Sequence, residues 1–443
     1  MEFITGLEGY IINVILGTIA VIGSFLFLRF LIVFFQNWWL DESQAKFAAG
    51  INYIILEIKF PRDSEIFPKA MEQVFASFYQ IYSFGIKPEK KWFEGQFEEK
   101  ISIEIASSKE GIKFFIKVNK KIRPIIEAAI FSQYPGAEII EATKDYVSEF
   151  PADLPNEQYD IMGADMVLGK KGKEGDAYPI RTYLYFLGER KYEEQEVDPM
   201  AILFEVMSGL KANERIWVQL LISPAGDALK DVAKKVIAEK MGKKEEPKKS
   251  VISAIFTFIG EIIKELSQIF ITSPTKEDSK KNEEKPKTLS SADNEAIRAI
   301  EAKAAKLAFK TIIRIIYIDQ KDTFSGSNFK AATSAFQQFS TQNLNYIRPA
   351  ALTITAPDRF FVLNKQQKLL RKKKLIYKNY IQRSFTNFTN VEAMYMECLT
   401  PSLMNIEELA TIFHPPTKRV MATGLGQIEP KKGAPPINLP IEE

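Results

Sequence analysis

The sequence predicts an α+β protein tethered to a membrane. An N-terminal transmembrane helix leads into two β-α-β-β-α-β units, the second with a long insertion, and then into a helical, proline-rich C-terminal tail. Three observations carry this reading. Residues 10–35 form one apolar run whose single charge is Arg29. Behind it, β-branched segments alternate with segments whose apolar residues recur at helical spacing. Charged, proline-bearing stretches at 243–249 and 275–287 interrupt that alternation in the second half. The 443 residues exceed one compact core, and 46% hydrophobic with 26% charged residues excludes wholesale disorder. A formal charge of +3, from 59 basic and 56 acidic residues, gives no global attraction to nucleic acid. The one cysteine, Cys398, rules out an internal disulfide framework.

The anchor follows a short tail at 1–9 and occupies residues 10–40, from Tyr10 past Phe35. A spanning helix needs roughly 20 apolar residues, and this run supplies them. Trp38 and Trp39 follow where an interfacial aromatic belt belongs, and Arg29 lies close enough to the far end to snorkel towards headgroups. A cleavable signal peptide expects a basic start and a small-residue cleavage site. Here Glu2 and Glu8 precede the run, and no A-x-A follows. The reading is a permanent single-pass anchor. With the acidic tail on one side and Arg29 and Lys46 towards the other, the positive-inside rule places the tail outside and the body in the cytoplasm.

Residues 50–147 read as the first unit. A strand at 51–60, INYIILEIKF, stops at Pro61. Pro68 then opens a helix whose inner face is Met71, Val74, Phe75, Phe78 and Ile81. Strands at 101–106 and 112–118 follow, the second with Ile112, Phe114, Ile116 and Val118 on one face. Asn119 caps a helix facing inward through Ile122, Ile126, Ala129 and Ile130, and AEIIEA starts a fourth strand. This order is that of the ferredoxin-like fold. A second such unit reads from 178–222 and 295–362, with strands at 181–187, 215–222, 310–318 and near 351–355, and helices at 199–210 and about 328–339. Its halves are parted by an insertion at 223–294. Within the insertion, residues 251–271 are amphipathic, with Ile255, Phe256, Ile259, Ile262, Ile263, Leu266 and Phe270 on one side, which suits an interfacial helix or one docked on protein.

Searching for chemistry finds little. No Walker A, G-x-G-x-x-G, H-E-x-x-H or nucleophile-elbow sequence occurs. The GKKGKEG of 169–175 is a basic loop without P-loop spacing. No cofactor or metal is expected, and the protein reads as a non-enzyme. One stretch, within the 363–414 C-terminal helical segment, is strongly basic. Lys365, Lys368, Arg371, Lys372, Lys373, Lys374, Lys378 and Arg383 share one helix backed by Leu369, Leu370, Ile376, Tyr377 and Tyr380. A solvated surface explains it, as does contact with DNA phosphates or with anionic lipid. Stacking of RNA on Phe114 and Phe115 lacks an RNP-type sequence to support it.

The chain closes with NIEELATIFH at 405–414, a proline-containing loop, and KKGAPPINLP at 431–440, in a linker-like tail at 415–443. These words, with RPIIEAAIFSQYPGAEIIEATKDY at 123–146, resemble the membrane-proximal region of type IV secretion and conjugation coupling ATPases of the DNA-translocase superfamily. Their motor motifs lie beyond such a segment, and this sequence ends before any of them. The resemblance implies a subunit in the inner membrane, a cytoplasmic platform for a separate P-loop ATPase, DNA or protein as cargo, and homo-oligomerisation. It makes His414, Pro415, Pro416, Pro435, Pro436, Asn438, Leu439 and Pro440 an expected docking segment. A hydrolase built on His414 would need activity that is lost in His414→Ala, and none is expected.

Overall fold

In a computed structural model of the chain, residues 2–61, 68–82, 85–170, 172–186, 198–242, 290–356, 364–385 and 401–417 are described. The amphipathic segment 251–271, the tail prolines with Asn438 and Leu439, Cys398 and the Tyr10 side chain lie outside them.

The apolar run lies within α1 (Glu2–Ala49), a single helix of 48 residues, about 70 Å long at 1.5 Å per residue. It is long and apolar enough to cross a membrane. Among the described residues, its large apolar side chains between Leu16 and Phe35 stand bare of protein, Phe35 at 63% exposure, and Trp38 and Trp39 are exposed too. The last turns of α1 are fastened to the body. Trp39 Nε1 donates to the Trp92 carbonyl (2.8 Å), and Phe47 meets Phe97 edge-on with ring centres 5.5 Å apart. Gly95, at φ +69°, lies so close to α1 that a Cβ there would overlap the Ser43 carbonyl. Only glycine suits both the conformation and the approach. Gly95→Ala will therefore loosen α1 from the body, costing about 1–3 kcal/mol for the left-handed backbone alone. Hydrogen exchange of the Phe47–Gly50 amides reports this; unchanged protection would contradict it.

Behind the anchor come β1 (Tyr53–Lys59), α2 (Pro68–Phe78), α3 (Pro88–Phe93), β2 (Ile101–Ser108), β3 (Gly111–Asn119), α4 (Arg123–Gln133) and β4 (Glu138–Glu141). The expected inner faces are the buried ones: Met71, Val74, Phe75 and Phe78 on α2, and Ile126, Ala129 and Ile130 on α4. The Asn119 side chain accepts from the Lys121 amide and caps the turn that enters α4. The chain continues through β5 (Tyr159–Leu168), α5 (Ala201–Ser208), β6 (Arg215–Pro224), α6 (Ala228–Lys240), α7 (Ser291–Ala304), β7 (Ala308–Gln320), α8 (Ser327–Ser334) and β8 (Ile347–Pro349). It ends in α9 (Lys365–Ile381), β9 (Ser402–Asn405) and α10 (Ile406–Ile412).

These strands form one antiparallel sheet, ordered β4-β1-β3-β2-β6-β7-β5-β8, with β9 beside the start of β7. Its centre is the β2–β6 seam, paired from Ile101↔Ile222 to Ala106↔Trp217. Outward from the seam the two halves repeat one order: second, third, first and fourth strand. An antiparallel seam between equivalent strands relates the halves by an approximate two-fold axis normal to the sheet. Helices from both halves therefore share one face, where Phe75, Ile130, Phe204, Phe336 and Leu409 join a continuous core. The other face buries Phe115, Phe150, Trp217, Tyr377 and Tyr380 beneath α9.

Four expectations need correction. The second half starts with β5 at 159–168, not at 181–187, where Tyr183–Tyr185 form a 3-10 turn. Asp160, Gly163 and Asp165 disguise β5 as a loop, whereas RTYLYFL has strand composition yet exposes Leu184 and Tyr185. The last strand is Ile347–Pro349; residues 351–353 turn, and Thr353 and Thr355 accept the Asp165 and Gly163 amides with their hydroxyls. No helix was expected at 228–240 or 291–304, where α6 and α7 form and pack through Ala233, Val236 and Ile300. Finally, residues 402–405 add a strand inside a segment expected to be helical, and Pro415 and Pro416, expected to open a linker-like tail, are buried.

Candidate functional site: a buried polar ladder beneath a basic helix

Each of four adjacent strands carries one polar residue in the middle of an apolar segment, and register puts the four side by side. Glu104 on β2 lies opposite Gln219 on β6, Gln219 opposite Arg314 on β7, and Arg314 opposite Asp165 on β5. All four are fully buried. Burying such groups costs several kcal/mol each unless they are paired and hydrogen-bonded, and here they are. Arg314 Nε donates to Asp165 (2.7 Å) and Nη1 to Gln219 Oε1 (2.9 Å). Gln219 Nε2 donates to Glu104 (3.0 Å).

The ladder grips the C-terminal end of α9. Helix ends leave carbonyls without intrahelical partners. Arg314 Nη1 donates to the Asn379 and Ser384 carbonyls (2.9 and 3.2 Å), and Gln219 Nε2 to that of Tyr380 (3.1 Å). Arg383, just past the helix at φ +48°, turns inward. It donates to Glu104 through Nε (2.9 Å) and to Asp145 through Nη1 (2.6 Å) and Nη2 (2.8 Å). Tyr146 closes the group, donating to Glu104 (2.7 Å) with its hydroxyl 2.6 Å from that of Tyr380. Burial alone would raise the Glu104 carboxyl, but Arg383, Ser102 and Tyr146 hold it below the usual carboxylate range. Asp145 is held down against its burial in the same way by Arg383 and Lys117.

This seat fixes which side of α9 faces out. Ile376, Tyr377 and Tyr380 are buried, while Lys365, Lys368, Arg371, Lys374 and Lys378 are exposed along one stripe. Three residues grouped with them by sequence do otherwise. Arg383 is a buried structural cation. Lys373 is turned to the body, pairing with Asp160 (2.6 Å) over the Phe324 ring, and Lys372 is half-buried. Phe114 and Phe115 are buried, Phe115 stacked on Tyr146 with 4.6 Å between ring centres, so neither presents a stacking surface.

A second buried constellation holds residues 401–417 between the two halves. Asn405 and Glu408 form a reciprocal capping box on α10. The Glu408 carboxylate also pairs with fully buried Lys303 (3.0 Å) and accepts the Ile180 amide (3.0 Å). His414 was expected in an exposed docking segment. Its ring is buried, with Nδ1 at 2.9 Å from the Ala410 carbonyl and Nε2 at 3.0 Å from Asp198, and Pro415 and Pro416 are buried beside it. Asp198 also accepts the Thr417 amide (2.9 Å). Burial opposes charge on Asp198, but His414 and the Thr417 and Met200 amides bring its carboxyl down to about 2. A depressed carboxylate contributes stability that is present above its unfolded pKa and lost as pH falls through the folded value. Asp198→Asn will thus cost about 2 kcal/mol at pH 7, and the gap from wild type will narrow between pH 4 and pH 2. Urea unfolding across that range checks it; a gap independent of pH would count against the pair.

Sequence reasoning missed Glu104, Asp145, Asp165, Asp198, Gln219, Arg314 and Glu408. For Glu104, Gln219 and Arg314 the signal was present as a charged or amide side chain near the centre of ISIEIA, RIWVQLLI and KTIIRIIYI. Among the described residues no group of three or more His, Cys, Asp and Glu side chains is arranged to hold a metal ion. In comparison with known proteins, a family model described as a domain of unknown function (DUF8128) matches residues 42–419. No curated protein matches the chain.

Proposed function

Since that match covers most of the chain from the end of α1 onward, the protein belongs to the DUF8128 family, and we propose that it is a membrane-anchored, non-catalytic platform of a type IV secretion-like transport machine. In this reading α1 crosses the inner membrane once and the body lies in the cytoplasm. Each half of the sheet is a ferredoxin-like unit, a reading supported by the 4-1-3-2 strand order that both share. The platform receives a P-loop motor ATPase on its C-terminal side and moves DNA or protein cargo.

The observation that carries this reading is the pair of joints at the two ends of the body, the first partly exposed and the second buried. Trp39, Ser43 and Phe47 fasten α1 to residues 92–97, and Lys303–Glu408 with Asp198–His414 fasten residues 401–417 to the core. Force applied beyond Thr417 thus reaches the membrane helix through packed secondary structure rather than a slack linker. The resemblance of 123–146, 405–414 and 431–440 to the coupling ATPases supplies the identity of the machine. Detergent extraction of the tagged full chain from its own cells tests the proposal: a P-loop ATPase of the secretion class co-purifies with it. Absence of such an ATPase, in membranes and in detergent alike, would overturn it.

A second reading, a nucleic-acid surface, is favoured by the exposed cation stripe of α9 on its clamped seat. It predicts salt-dependent duplex DNA binding that weakens when Lys368, Arg371 and Lys374 are changed to Ser.

A further inference from the structure

Beside the point where α1 leaves its apolar run, the body offers a second element of interfacial chemistry. Residues 87–93, KPEKKWF, begin with Lys87 and form α3, in which Pro88 presets the first helical turn. α3 buries none of its residues, and Phe93 at its end is 79% exposed. One exposed apolar side chain alone calls for no cover; what distinguishes Phe93 is its neighbours, Trp92 and the lysines, and its place beside the anchor. Lys87, Lys90 and Lys91 are exposed around it, and the Lys91 ammonium lies 5.8 Å from the Trp92 ring centre.

The level of α3 along the anchor says what it meets. The Trp39–Trp92 hydrogen bond and the contact of Gly95 with Ser43 hold α3 against α1 just after Trp38 and Trp39. Those tryptophans mark the boundary between the apolar run and Asp41, so Trp92 and Phe93 sit at the same height as the aromatic belt. Aromatic rings with neighbouring lysines are the residues that partition into the headgroup region. Phe93 has an apolar body to insert, and the lysines have phosphates within reach at that depth.

We propose that α3 is a membrane foot: Phe93 and Trp92 enter the headgroup layer of the leaflet that α1 crosses, and Lys87, Lys90 and Lys91 contact its phosphates. The contact fixes the body's tilt, because a helix alone leaves rotation about its axis free and two contacts do not. This inference rests on α1 spanning the bilayer.

The test uses the full chain with Cys398→Ser, reconstituted in phosphatidylcholine–phosphatidylglycerol vesicles, with a nitroxide at Phe93→Cys in one sample and at Phe27→Cys in another. Accessibility to lipid-soluble oxygen and to a water-soluble nickel complex reads the depth of each. The expected result is oxygen-dominated relaxation at both positions, with position 93 shallower than position 27. Position 27 in lipid with position 93 in water would overturn the foot and leave the anchor standing. Both positions in water would overturn the anchor and the foot with it. Since Phe93 is exposed, its substitution leaves the core intact, and the wild-type circular dichroism spectrum serves as the check on folding.

Discussion

Arg314→Ala will destabilise the protein by about 3–5 kcal/mol, the range for removing one partner of a buried ion pair. The cost comes from what the guanidinium leaves behind. Asp165 stays buried without its cation, Gln219 loses its donor, and the Asn379 and Ser384 carbonyls lose theirs. The last two losses reach α9, whose C-terminal amides will exchange faster in the variant. A double variant, Arg314→Met with Asp165→Leu, separates charge from packing. Replacing both members of a buried pair with apolar residues is often close to neutral, so the double variant will recover most of the stability but not the grip on α9. Urea unfolding of the three proteins measures this. A single-variant loss under 1 kcal/mol would show that the ladder is not what seats the helix.

Glu408→Ala will have an effect of similar size on the opposite face. Its carboxylate is shared by the Lys303 ammonium and the Ile180 and Asn405 amides. Removing it strands a cation at zero exposure and opens the capping box, adding about 1 kcal/mol to the 3–5 for the broken pair. α10 sits between the two halves, so loosening it frees residues 401–417 as a unit. Limited proteolysis will cut near Phe413 and Thr417 in the variant at protease levels that leave wild type intact. Equal resistance would mean that packing of Leu409 and Ile412 alone holds the segment.

The apolar frame of this fold is legible in the sequence because its signal is periodic. INYIILEIKF and the α2 face from Met71 to Phe78 repeat at the spacing of their structures, and the run ending at Phe35 is read from its unbroken apolar length. The polar interior is not legible, because a pattern reads a charge as an exit to solvent. Asp165 hid a strand, Arg383 passed as one more surface cation, and His414 passed as a linker residue. Each is buried against a partner far away in sequence: Arg314, Glu104 and Asp198. Such pairings appear only when strand register and the two-fold arrangement of the halves bring the partners together. The candidate site is therefore the least readable part of the chain, while the anchor is the most readable.

The central claim, that this body holds a motor at the membrane, is tested most directly by photo-crosslinking in the native cell. A benzophenone amino acid is placed at Asn438 in one strain and at Lys374 in another, and the adducts are identified by mass spectrometry. The account predicts a P-loop ATPase of the secretion class crosslinked from position 438, at a yield that falls when Glu408→Ala loosens the joint. No ATPase adduct from position 438, with nucleic acid captured from position 374, would contradict it and leave the protein a nucleic-acid surface at the membrane.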